Sequence, residues 1–207
     1  MVVPRSVHAL DIRELRRDEL TAAAELLARG MRDNPLHQRA FGTDADRRER
    51  ALARFFTPVL RQVEANGAVL GAHRGATLVG VLGMALPGRC QPTLSEALRI
   101  VPALIAGNGP GSLLRVVRWT RAWARRDPRD PHWHLGPVGV DAPLQGQGIG
   151  GALLADFCAR VDCEHALAYL ETDKPENVRF YERFGFATVS AGPVLGVSNW
   201  FMGRLPR

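Results

Sequence analysis

The stretch QGQGIGG, Gln145 to Gly151, constrains this chain more than any other. It follows a strand-like run, Trp133 to Val140, and a turn at Asp141-Ala142-Pro143-Leu144. It then opens a helical run that reaches about Val161. Four of its seven residues are glycine, whereas a tight strand-to-helix turn needs one or two. Bare backbone at the start of a helix leaves unpaired amides facing outward at the positive end of the helix dipole. Such a loop suits a phosphate or pyrophosphate.

The rest of the chain frames that loop. Its 207 residues, 46% hydrophobic and 23% charged, suffice for one domain with a real core and exclude a disordered tail. Arg, Gly or Pro interrupts every apolar run before the ~20 residues of a membrane span, and no charged-then-apolar leader opens the sequence. The three cysteines, Cys90, Cys158 and Cys163, form no C-x-x-C pair, which argues against a disulfide scaffold or a structural zinc site and for a reducing cytoplasm. No metal is expected. All basic residues but Lys174 are arginine, the mark of a GC-rich coding sequence. The net charge of +6 favours an anionic partner or plain solubility. Arg115, Arg118, Arg121 and Arg125 share a helical face, with Arg126 beside them, and read as a solvated surface. Trp119 and Trp123 among them read as core aromatics rather than base-stacking platforms.

Along the chain, Ala9 to Arg13 alternates as a first strand. Arg17 to Arg29 is helical and stops at Gly30, and Asp33-Asn34-Pro35 marks a turn. Asp44 to Glu64 is a helix that bends near Pro58, followed by a turn at Asn66-Gly67. Ala68 to Ala72 and Thr77 to Leu86 form a hairpin about Arg74-Gly75. Residues 92–131 are a helical insertion, broken at Gly107 to Gly111 and closed by a proline-bearing linker from Asp127. Ala166 to Thr172 is a strand, and a short helix comes next with Asp173 as N-cap, Glu176 its acidic partner, Pro175 in the first turn and Gly185 just past the end. Phe186 to Ser190 and Val197 to Arg204 are the last strands.

Two cofactor readings meet at the loop. Gly146, Gly148 and Gly151 satisfy G-x-G-x-x-G, with Glu171 about twenty residues on, as in a dinucleotide fold and hence an NAD(P)-dependent oxidoreductase. Against it, Asp141 to Gln145 separate the strand from the first glycine, and the strands after Glu171 look antiparallel rather than like further βαβ units. The second reading is a coenzyme A site. Val138 to Leu154, VGVDAPLQGQGIGGALL, resembles the acetyl-CoA loop of the GNAT superfamily of N-acetyltransferases, whose Gln/Arg-x-x-Gly-x-Gly/Ala pattern is met by Gln145, Gly148 and Gly150. Tyr169 to Phe186, YLETDKPENVRFYERFGF, resembles the second motif of that family, at the right spacing, and is closest to puromycin N-acetyltransferase-like actinobacterial members.

The resemblance implies an α/β (α+β) fold: one GNAT-type domain over 1–207, whose mixed, mostly antiparallel sheet splays between the fourth and fifth strands with helices on both faces. Residues 132–190 become the acetyl-CoA-binding core. It implies direct attack of a small molecule's amine on acetyl-CoA in a ternary complex. The cofactor would be held by Val138, Gly139, Val140, Gln145, Gly146, Gln147, Gly148, Ile149, Gly150, Gly151 and Asn177. Pro137 lacks an N–H, which suits a strand that splays to admit a ligand, and equally an edge or a bulge. Tyr181, one helical turn after Asn177, is the candidate acid for the leaving thiolate. For the base, some members carry a carboxylate on the strand before the loop; that position is His134 here, and Glu171 on the next strand is the other candidate, directly or through water. Met31, Asp33, Asn34, Phe41, Trp119, Trp200 and Met202 are candidates for an acceptor pocket. A non-catalytic module binding acyl-CoA or nucleic acid remains the other rival. A cytoplasmic homodimer is the default expectation.

Overall fold

The computed structural model describes residues 10–206. Seven strands form one sheet: β1 (Leu10–Glu14), β2 (Gly67–Arg74), β3 (Thr77–Ala85), β4 (His132–Val140), β5 (Leu167–Thr172), β6 (Ala187–Val194) and β7 (Val197–Arg204). Their order is β1-β2-β3-β4-β5-β7-β6. Every neighbouring pair is antiparallel except β4 and β5. One parallel pair is too few for the doubly wound sheet that a dinucleotide fingerprint opens, so the oxidoreductase reading loses its scaffold. Ala9, expected to begin β1, lies outside the described residues.

The helices are α1 (Leu20–Met31), α2 (Pro35–Phe41), α3 (Ala45–Asn66), α4 (Leu94–Asn108), α5 (Pro110–Ala124), α6 (Ile149–Cys163) and α7 (Pro175–Glu182). Strand alternation divides their core in two. On one face Val69, Val81, Tyr169 and Phe201 meet α1, α3 and α5. On the other, Leu70, Leu82, Leu135, Leu170 and Met202 meet Leu153, Phe157 and Val161 of α6.

Three local expectations need correction. Gly30 does not stop α1 but lies inside it, because a Cβ there would run into the Val140 carbonyl; the glycine lets α1 lie directly on β4. Asp33-Asn34-Pro35 is more than a turn: Pro35 takes the first position of α2, where its missing N–H costs nothing. His37 of that helix is buried and donates from Nδ1 to the Met31 carbonyl at 2.8 Å, satisfying one of α1's last acceptors. Finally, Asp173 is not the N-cap of α7, a position held by Lys174 without a side-chain bond. The Asp173 carboxylate instead accepts the Leu36 N–H at 2.7 Å and fastens the start of α2 to the end of β5. Helix α3 runs unbroken across Pro58.

The opening in the sheet has a local cause. β4 and β5 pair only over three residues, from His132↔Leu167 to His134↔Tyr169. Just beyond, β4 carries an extra residue: Leu82 faces Val138 while Met84 faces Leu135, so Gly136 and Pro137 stand opposite Gly83 alone. Such a bulge bends a strand, and Pro137 has no N–H to offer the ladder. β4 therefore leaves β5 and stays with β3.

Candidate active site

The cleft that begins at this opening has a volume of about 580 Å³. Its lining includes Val138, Gly139 and Val140 of β4, the loop residues Gln145, Gly146 and Gly148, and Ile149, Gly150 and Gly151 of α6. Asn177 and Tyr181 of α7 form another wall. Ten of the eleven expected cofactor residues thus meet in one place, with Tyr181 beside them. Gln147 does not line the cleft; its Oε1 accepts from Arg74 at 2.8 Å on the surface.

The loop is held from both sides. Gln145 Nε2 donates to the carbonyls of Gly30 at 3.0 Å and Val140 at 3.2 Å. Arg29 of α1 grips Asp141 with two bonds of 3.0 Å. Gly148 precedes α6 in the left-handed region, at φ 82°, and no side chain caps the helix. Its first amides therefore keep their capacity for an anion. A Cβ on Gly150 or Gly151 would meet its nearest neighbours at 3.6 and 3.7 Å, ordinary contact distances. Packing does not require glycine at either position, and glycine inside a helix costs up to about 1 kcal/mol relative to alanine. A floor that must stay free of anything larger than a methyl group accounts for small residues there, so these residues fit a phosphate-bearing cofactor.

Tyr181 is buried, and burial, with the nearby Asp173 carboxylate, pushes its phenol well above the usual value. It stays protonated, so its O–H can be donated to a departing group. Asn177 Nδ2 donates to Thr172 Oγ1 at 3.1 Å, a bond that leaves its carbonyl oxygen unused.

The two base candidates come together, but not in the cleft lining. His134 Nε2 lies 3.1 Å from Glu171 Oε2, and the Glu171 side chain is only 3% exposed. Both share the face of Tyr169, opposite α6, at the last point where β4 and β5 pair. Burial disfavours charge on His134, but Glu171 and Asp127 outweigh it and hold the imidazole above its ordinary value. Of the acceptor-pocket candidates, Met31 and Asn34 line the cleft. Phe41, Trp119 and Met202 are core residues, Trp200 packs against the α6-side core, and Asp33 is engaged by Arg32 and Arg48.

Sequence reasoning missed Lys174 and Arg183, the two cations in the cleft lining, which flank α7. The available signal was the cation at each end of the short helix, overlooked because neither belongs to the glycine pattern. The arginine face is mixed. Arg118, Arg121 and Arg125 are exposed, but Arg115 donates to the Ala40 carbonyl at 2.9 Å, and Arg126 sits 4.9 Å over the Phe201 ring. Trp119 is buried and Trp123 donates to Asn199 at 3.0 Å, so both serve the fold. Among the described residues no helix is long and apolar enough to cross a membrane.

Residues 32–186 match the model of the acetyltransferase (GNAT) family. Solved structures share the fold over nearly the whole chain. One, described as a histone acetyltransferase HPA2 and related acetyltransferase from Corynebacterium glutamicum, is 22% identical with a TM-score of 0.74, covering 96% of this chain and 97% of its own. A GNAT family acetyltransferase from Brucella melitensis in complex with acetyl-CoA is 20% identical, with a TM-score of 0.51 over 96% of this chain and 88% of its own. A polyamine N-acetyltransferase from Drosophila melanogaster is 18% identical, with a TM-score of 0.56 over 95% of this chain and 100% of its own.

Proposed function

The chain belongs to the GNAT acetyltransferase family, and from that premise we propose that it transfers the acetyl group of acetyl-CoA to the amine of a small molecule, by direct attack in a ternary complex. The observation that carries this reading is the cleft. Its glycine floor at the start of α6 faces Tyr181 across the gap that the Gly136-Pro137 bulge opens between β4 and β5.

Each step has a residue to perform it. The amides from Gly148 onward hold the pyrophosphate, with Lys174 and Arg183 as counter-charges. Backbone groups of Val138 to Val140 take the pantetheine arm as a further strand. Acetyl-CoA supplies the activated acyl group. The amine reaches the thioester from the far face of the sheet, where His134 and Glu171 receive its proton directly or through water. Tyr181, kept protonated by burial, donates to the departing sulfur from the α6 side. The segment 92–131 walls the acceptor side. The Drosophila melanogaster neighbour acts on polyamines, which supports a small amine as acceptor. The run from Leu170 to Phe186 supports a place among the puromycin N-acetyltransferase-like members. A cytoplasmic site of action fits the acetyl-CoA supply.

The test is a panel of polyamines, arylalkylamines and aminoacylated nucleosides, with release of the CoA thiol as readout. Transfer to at least one class, with intersecting initial-rate lines, is expected. Parallel lines, or acetyl-CoA binding without transfer to any amine, would overturn it. Tyr181→Phe should lower kcat by roughly 10²-fold, the range of one general acid, and leave the KM for acetyl-CoA within about twofold.

A further inference from the structure

A second cluster lies beside His134 and away from the cleft lining. Cys90 lies beyond β3, Asp127 beyond α5, and His132 and His134 alternate onto one face of β4. One ligand atom from each lies within 4.8 Å of all the others. We propose that Cys90, Asp127, His132 and His134 form a four-ligand site for a zinc-type divalent cation, which fastens both ends of the α4–α5 segment to the sheet.

The distances fit. Zinc bonds of about 2.0–2.3 Å arranged as a tetrahedron place ligand atoms roughly 3.3–3.8 Å apart. Cys90 Sγ is 3.3 Å from Asp127 Oδ2 and 3.9 Å from His132 Nε2. Asp127 Oδ1 is 3.2 Å from His132 Nε2 and 3.7 Å from His134 Nδ1. The Cys90 contact is to the other carboxylate oxygen from the one that faces the histidines. All four ligand atoms lie within 4.8 Å of one another, so shifts of up to about an ångström would close the shell on a cation.

The outer bonds aim the inner atoms. His132 Nδ1 donates to the Asp130 carbonyl at 2.8 Å, which turns the Nε2 lone pair to the centre. His134 Nε2 donates to Glu171 at 3.1 Å, which turns Nδ1 to the centre. Gln91 Nε2 donates to Asp127 Oδ2 at 2.8 Å. A carbonyl, a carboxylate and an amide placed behind the ligands are the usual supports of a metal centre.

The cluster also leaves polar atoms unpaired, with two imidazole nitrogens, a carboxylate and the Cys90 thiol gathered together. Accordingly, Asp127 Oδ1 and His134 Nδ1 are buried without a hydrogen-bond partner of good geometry. Buried acceptors left so carry a desolvation cost that a cation removes. On binding, the Cys90 proton and any proton carried by the two imidazoles leave for solvent, and the thiolate and carboxylate neutralise the divalent charge. Four protein ligands leave no open position, so the site is structural. It closes the long loop between Cys90 and Asp127, and, with His134 Nδ1 on the metal and its Nε2–H on Glu171, it leaves Glu171 as the group that takes the amine's proton. Cysteine-pair spacing could not reveal it, because it uses one cysteine and gathers partners from three places in the chain.

The full-length protein, stripped by chelation, is titrated with Co²⁺ and then Zn²⁺. One equivalent of cobalt should produce a thiolate-to-metal charge-transfer band with tetrahedral visible bands, and one equivalent of zinc should erase them. Cys90→Ser should abolish the charge-transfer band and weaken zinc by at least ~100-fold, beyond what loss of an outer support costs. Cys163→Ser, at an exposed cysteine outside the cluster, should change neither. No saturable band at one equivalent, a band that survives Cys90→Ser, or one lost with Cys163→Ser would overturn the site. If Cys90→Ser fails to fold, alkylation of the wild type decides: zinc should protect Cys90 and chelator release it, and equal labelling in both states would refute the proposal.

Discussion

At Gly150 the fold and the ligand make different demands on one side chain. A methyl there meets Val140 Cγ2 at 3.6 Å and Phe180 Cζ at 3.7 Å, so Gly150→Ala should fold as well as the wild type or gain up to about 1 kcal/mol. It should also keep acetyl-CoA, since the motif accepts alanine. Gly150→Asp should fold and yet bind no acetyl-CoA, because a carboxylate would enter the space meant for phosphates. Denaturant midpoints and cofactor titration of both variants check this; retained affinity in Gly150→Asp would move the phosphates elsewhere. Gly30 behaves differently. Its absent Cβ is demanded by the Val140 carbonyl, so even Gly30→Ala should destabilise the protein and weaken the cofactor together. Sequence identified the glycines of the loop because four in seven is excessive for a turn. It misread Gly30 because one glycine looks the same whether it ends a helix or admits a neighbouring strand, and only the long-range contact tells them apart.

Elements show the same division between local and distant causes. The hairpin about Arg74-Gly75, the helix opening at Gly148 and Pro175 at the start of α7 were legible, since turn and cap chemistry is local. α2 and the role of Asp173 were not, since Asp173 acts on Leu36, far away in sequence. Asp173→Ala should leave the buried Leu36 N–H unpaired and cost about 1–3 kcal/mol, seen as a lower denaturant midpoint. An unchanged midpoint would make that bond incidental. The junction of β1 with α1 carries a pH dependence. Glu19 accepts two bonds from Arg13, at 2.6 and 2.9 Å, and one from the Arg16 amide at 2.9 Å. The Arg13 guanidinium and then the Arg16 amide hold its carboxyl down at about 2. A carboxyl depressed by folding stabilises the protein above its unfolded value, and that contribution fades as pH falls from ordinary carboxylate values towards 2. Urea midpoints measured from about pH 5 down to about 2.5 should therefore fall less steeply in Glu19→Gln than in the wild type. Parallel profiles would show that the pair adds nothing.

At the scale of the whole molecule, the cleft draws on residues from Gly30 to Phe184 and includes α1, β4, α6 and α7. These elements are distant in sequence, so a ligand seated there bridges the two cores that the sheet separates, and its binding energy should appear in global unfolding. The mostly antiparallel sheet and its bulge at Gly136-Pro137 shape that cleft for a thin arm passing between two strands, not for a dinucleotide lying across a parallel sheet. At roughly 100 times its dissociation constant, acetyl-CoA should add about 2.7 kcal/mol of stability. For a chain of this length each kcal/mol moves the midpoint by about 2–4 °C, so Tm should rise by roughly 5–11 °C. CoA should give a comparable shift and NADPH none. Tyr181→Phe should keep the shift, because that phenol acts on the departing sulfur, whereas Gly150→Asp should lose it. A shift with NADPH equal to that with acetyl-CoA would mean that the glycine floor recognises any pyrophosphate. The specificity assigned to the gap between β4 and β5 would then have to come from somewhere else in the molecule.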